Sequence, residues 1–183
     1  MVRIIIATLV VIVCSNLVNA EPKVPCHFIF GDSLSDAGNN NQLTTAGKSN
    51  YPPYGVDFPG GIATGRYTNG LTIADFITQF LGFKRLITPY SSQMDQDILL
   101  GVNFASGGAG ILNETASQGY RTSMDQQLQN YVITTSKLKT MVEGPVSNYL
   151  RKCLHTVNIG SNDYILNYFM PLLSPSKKLF NYD

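Results

Sequence analysis

Three short stretches of this chain combine glycine with groups able to act on a carbonyl. They are Gly31-Asp32-Ser33-Leu34, Ser106-Gly107-Gly108-Ala109-Gly110 and Gly160-Ser161-Asn162-Asp163. Ser33 supplies a hydroxyl that can attack an acyl carbon and hold the acyl group covalently, chemistry that needs no metal or cofactor. The oxyanion formed by that attack needs donors already in place. The Ser33 amide, a backbone N–H of the glycine-rich turn and the carboxamide of Asn162 are on offer. Within the turn Gly108 is the first choice and Gly110 the second, because spacing does not settle which of Gly107, Gly108 and Gly110 donates. Each group also has a purely structural reading. Ser33 could cap a helix, Gly107-Gly108 could be a plain turn, and Asn162 could brace a loop.

Each stretch follows an apolar run of strand length: Phe28 to Phe30, Ile98 to Ala105, and Cys153 to Ile159. Between them lie two helical patterns. One runs from about Leu71 to Leu81, with Ala74, Ile77 and Leu81 as its buried stripe and Gly82 at its end. The other opens at Ser123, where Ser123-x-x-Gln126 has the form of a capping box. Met124, Leu128, Tyr131, Leu138, Met141 and Val142 keep its period until Gly144-Pro145, and a short amphipathic helix from Val146 to Arg151 follows. Strand, helix, strand, helix, strand predicts an α/β doubly wound parallel sheet, with its chemistry at the carboxyl ends of the strands. Phe28, Phe30, Phe76 and Phe80 are expected in the core, and Asp32 and Asp36 are expected to fix the first turn. Residues 39–68 read as loop. Ala46-Gly47-Lys48-Ser49 within them is no phosphate-binding loop, since Gln42 stands where its first glycine should be.

The first stretch is not a G-x-S-x-G elbow, because Asp32 precedes the serine and Leu34-Ser35 follow it. The run Phe28 to Asn41 resembles instead the first signature block of the GDSL esterase/lipase (SGNH-type hydrolase) family, and its Asp36-x-Gly38-Asn39-Asn40 extension is similar to the plant branch. Gly101-Val102-Asn103-Phe104-Ala105-Ser106 with Gly107-Gly108, and Asn158 to Tyr164, match the second and third blocks. The resemblance implies a flavodoxin-like strand order, 2-1-3-4-5, of which this chain supplies 2-1-3. It also implies a hydrolase of lipid or acyl esters with Ser33 as nucleophile and Ser33 N–H, Gly108 and Asn162 as oxyanion donors. The family's last block is Asp-x-x-His, the acid and base of the triad, and no such tetrad occurs in these 183 residues. Residues 21–183 are therefore expected to be a partial domain, cut before the last strands, of a family whose plant members run to about twice this length. Its third strand would be an uncovered edge that favours aggregation. The rival reading is a non-catalytic product or a remnant that binds acyl or glycan ligands, and an acyltransferase is the third.

Only two histidines are present. His27 lies six residues upstream of Ser33 along a strand, about 20 Å away, and His155 also starts its strand. Both are expected to be satisfied locally. Composition bounds the rest. The chain is 44% hydrophobic and 14% charged with a net charge of +1, which suits one globular domain and gives no electrostatic case for nucleic acid. Residues 1–20 read as a secretory signal peptide, with Arg3, the apolar Ile4 to Val13, and cleavage near Ala20; that core is too short to span a membrane. Without Arg3, 12 basic residues balance 12 acidic ones. Cys14 leaves with the signal. Cys26 and Cys153 start two strands and could form a disulfide if those strands are parallel neighbours, or remain as buried thiols. Asn113-Glu114-Thr115 is a glycosylation acceptor sequence and argues for an exposed loop. Nothing in the sequence sets an oligomeric state.

Overall fold

The computed structural model describes residues 21–117 and 119–170; the expected signal peptide and Cys14 lie outside them. The centre of the fold is β1 (His27–Gly31), every residue of which is buried. β2 (Leu154–Asn158) pairs with it in parallel, from His27 opposite Leu154 to Gly31 opposite Asn158. On the other side of β1 the chain runs extended from Val102. The Ile29 amide donates to Val102 O, Phe104 N to Ile29 O and Ser106 N to Gly31 O, with a parallel bridge at Asn103. The first strand in sequence is thus the middle one in space.

Side chains alternate across a strand, and β1 uses both faces. Phe28 and Phe30 pack with Val102, Phe104 and Leu138 against α2 (Met124–Leu138) and α3 (Val146–Leu150). Ile29 faces the other way, onto Ala74 of α1 (Ile73–Phe80), Phe83 and Ile87. Helices cover both faces of a parallel sheet, an α/β arrangement. Cys26 and Cys153 immediately precede the two strands and form a disulfide with Cα atoms 4.7 Å apart.

Three expectations are corrected. The run from Ile98 is not strand throughout: Asp95–Leu100 winds into 3-10 turns and only the part after Gly101 is extended. A short apolar run cannot declare its own period. Gly101 (φ 107°) makes the transition where a Cβ would lie 2.0 Å from the His27 carbonyl oxygen. Phe76 and Phe80 are not core, being 48% and 78% exposed. α1 is rotated by its polar anchors instead. Thr72 and Asp75 form a reciprocal capping box, Asp75 is ion-paired with the buried Arg66 at 2.7 Å, and Thr78 Oγ1 meets His27 Nδ1 at 2.9 Å. Burying that polar side turns Ile73, Phe76 and Phe80 outward. Finally, the α2 capping box is half made. Ser123 Oγ accepts from Gln126 N, whereas the Gln126 side chain donates to Asn130 one turn on.

Candidate active site

Gly31 ends β1 under close constraint. A Cβ there would sit 2.3 Å from Asn158 O, so only glycine lets the two strands finish side by side. Its N–H donates to Gln127 Oε1 at 3.0 Å and its carbonyl accepts from Gln127 Nε2 at 2.8 Å. The buried Gln127 therefore clamps the strand end to α2. Asp32, also buried, accepts from Leu34 N and from Ser161 Oγ (2.9 Å), tying the turn after β1 to the turn after β2. Ser33 sits between these braces, half-buried, and no hydrogen bond from the described residues engages its hydroxyl. It does not cap a helix.

Asp36 builds the next wall. Its carboxylate accepts from Gly38 N (2.7 Å), Asn39 N (2.7 Å) and Gly107 N (2.9 Å). Burial pushes its pKa up to about 6 even though these N–H groups favour the charged form. Asn40 Nδ2 donates to Gly47 O, Tyr67 Oη and Gly107 O, and its Oδ1 accepts from Ser106 Oγ. Asn39 Nδ2 donates to the carbonyls of Asn103 and Ala105. The asparagine-rich run thus acts as a framework that holds the glycine turn against β1.

This framework separates the three glycines. The Gly107 amide is spent on Asp36, and a Cβ there would strike Tyr67 Oη at 2.2 Å. Gly110 is kept small by packing, with Thr115 Cγ2 and Asp163 Oδ1 at 2.5 and 2.6 Å from a Cβ. Gly108 adopts φ 86°, and a Cβ there would make only ordinary contacts, with Ala116 Cβ at 3.8 Å and Arg121 Cδ at 3.9 Å.

After β2, Gly160 (φ 123°) starts the single turn α4 (Ser161–Asp163), which runs on into a π-helical turn, Tyr164–Tyr168. Asn162 is 8% exposed and donates one Nδ2 hydrogen to Ala109 O at 2.9 Å. That bond fixes the amide and uses one of its two Nδ2 hydrogens. Asp163 accepts from Ile111 N, Leu112 N and Thr115 Oγ1, locking the loop beyond the glycine turn onto α4.

Ser33, Gly107, Gly108 and Asn162 line one cleft of about 560 Å³, with Tyr67, Ala46, Gly47 and Arg121 on its other walls. Gly110 is not among the lining residues. Residues of the three stretches singled out in sequence therefore meet. The two histidines do not join them. His27 is fully buried at the opposite end of β1, between Thr78 Oγ1 (2.9 Å) and Thr156 Oγ1 (3.0 Å). Burial and the neighbouring His155 hold its pKa down to about 4. His155 Nε2 meets Tyr131 Oη at 2.9 Å, and burial lowers its pKa too. Asn113 is exposed, with its amide on Asp125, while Thr115 of the acceptor sequence is buried against Asp163. Among the described residues no helix is long and apolar enough to cross a membrane, and no three acidic, cysteine or histidine side chains form a metal-sized cluster. Sequence reasoning missed Gln127, Asp163 and Arg121. A glutamine on the apolar side of α2 was the available signal for the first.

Residues 28–181 match the family described as GDSL-like lipase/acylhydrolase. Three GDSL esterase/lipases of Arabidopsis thaliana are 49%, 47% and 48% identical over 91%, 93% and 84% of this chain. The aligned parts are 47%, 48% and 43% of those relatives, so the chain spans about half their length. No solved structure matches significantly. With the family match running from β1 past the last described residue, this chain belongs to the GDSL-like lipase/acylhydrolase family.

Proposed function

We propose that the chain carries the nucleophile and oxyanion half of a secreted serine ester hydrolase acting on small or lipid acyl esters. Ser33 Oγ attacks the acyl carbon and gives up its proton to a base. The oxyanion accepts from the Ser33 amide, the Gly108 amide and Asn162 Nδ2, and the alcohol leaves to give an acyl-enzyme that water then cleaves. The observation that carries this reading is that Ser33, Gly108 and Asn162 line the same cleft while the Gly107 amide is already engaged. The full sheet is read as doubly wound, on the strength of helices against both faces of β1. Asn113 is read as glycosylated and residues 1–20 as a cleaved signal.

The engagement of both histidines far from Ser33 favours one other reading, a chain that binds acyl ligands without turning them over. A fluorophosphonate probe separates the two. Labelling that disappears in Ser33→Ala supports the hydrolase, and Asn162→Ala is then expected to slow labelling by roughly 100-fold. No labelling, or labelling that survives in Ser33→Ala, rejects it.

A further inference from the structure

Among the described residues, Arg121 is the one charged side chain that lines the Ser33 cleft. Its surroundings leave that charge poorly answered. Nη2 donates to the Asn113 carbonyl, a neutral acceptor. Nε is shut away from solvent with no hydrogen-bond partner. Asp163 is the acid whose field favours the charge, and its oxygens are already held by Ile111 N, Leu112 N and Thr115 Oγ1. Desolvation lowers the guanidinium pKa. A partly desolvated cation with no ion pair among the described residues is costly, and an anion arriving in the cleft would relieve that cost.

We propose that Arg121 makes this cleft selective for esters that bear a second, ionised carboxylate. A planar guanidinium suits a carboxylate held by two parallel hydrogen bonds. A single cation, with no lysine or second arginine among the described residues of the cleft wall, matches one negative charge better than a phosphate dianion. The inference rests on the hydrolase reading for the word ester, but not for the anion site itself.

Calorimetric titration of the 183-residue chain tests it, with monoethyl adipate against the neutral diethyl adipate. Wild type is expected to bind the half-ester about tenfold or more tightly, and the preference should shrink with added salt. Arg121→Gln should abolish the preference, while Arg121→Lys should keep part of it. Acetoxyacetate against its methyl ester repeats the comparison with the charge on the alcohol side, and the pair showing the larger preference assigns the carboxylate to the acyl or the alcohol portion. Equal affinities in both pairs, binding of none of the four, a salt-independent preference, or a preference retained in Arg121→Gln would overturn the proposal. Should Arg121→Gln fail to fold, the Arg121→Lys and salt series still decide. Ser33→Ala is expected to keep the preference. If no fluorophosphonate labelling is seen yet the half-ester is preferred, the hydrolase reading falls and the anion site stands.

Discussion

Asp36 and His27 are buried ionisable groups whose pKa values move in opposite senses. Burial raises Asp36 from 3.8 to about 6, so the folded chain holds that proton at a pH where the unfolded chain has lost it. Its stabilising contribution is present at low pH and is lost as pH rises from 3.8 through about 6. His27 is lowered from 6.5 to about 4. The unfolded chain takes up that proton first, so stability is lost as pH falls from 6.5 towards 4. The two effects oppose each other over the shared range. Thermal melts of the wild type are therefore expected to change little between about pH 6 and 4. Asp36→Asn, which removes one side of the balance, should lose Tm steadily on acidification through that range. A variant that melts with the wild-type pH dependence would refute the assignment. The same variant should slow Ser33 labelling roughly tenfold, because the introduced carboxamide would turn a donor towards the Gly107 N–H and displace the neighbouring Gly108 amide.

At the level of elements, side chains join the strand ends in addition to the backbone bonds from Ser106 N to Gly31 O and from Asp32 N to Asn158 O. Gln127 couples α2 to Gly31, Asp32 couples the first turn to Ser161, and Asp163 couples α4 to the loop at Ile111. Gln127→Leu leaves the Gly31 N–H buried without an acceptor, at a cost of about 1–3 kcal/mol. The Gly31 carbonyl still accepts from Ser106 N, so one orphaned group and not two sets the loss. Denaturant unfolding is the measurement, and an unchanged midpoint would mean the clamp carries no weight. Much of this site was legible in advance. Glycines and small polar residues after three apolar runs pointed to Ser33, the glycines of the Gly107–Gly110 turn and Asn162, which line one cleft save Gly110, since such turns mark strand ends. The choice among Gly107, Gly108 and Gly110 was not legible, because it depends on Asp36 and Thr115 approaching from elsewhere in the chain.

For the whole molecule, the Cys26–Cys153 bridge closes a sequence separation of 127 residues around β1, α1, α2 and α3. A loop of that size limits the unfolded chain strongly, and Cys153→Ser is expected to cost about 4–5 kcal/mol on the chain-entropy account. Equal unfolding midpoints with and without reductant would contradict it. β2 pairs with β1 on one side alone among the described residues, and Val157 within it is 57% exposed. An open edge of this kind templates pairing with another chain. The 183-residue chain is expected to self-associate with concentration, as seen by light scattering, and Val157→Lys should suppress it. A variant that associates as readily as wild type would move the contact away from that edge.

By itself the sequence determined the local chemistry: which residues are nucleophilic or donating, where strands stop, and that parallel strands joined by helices bring their carboxyl ends together. Those properties depend on residue type and near-neighbour spacing. Only the tertiary structure decided that the Gly107 amide is engaged by Asp36, that α1 turns Phe76 and Phe80 to the outside, and that Arg121 lines the cleft. Each depends on a polar partner remote in the chain. Burying a hydrogen-bonded or ion-paired group such as Asp75 outweighs the pull of an apolar stripe, because leaving that group unpaired in the interior costs more than exposing two aromatic rings.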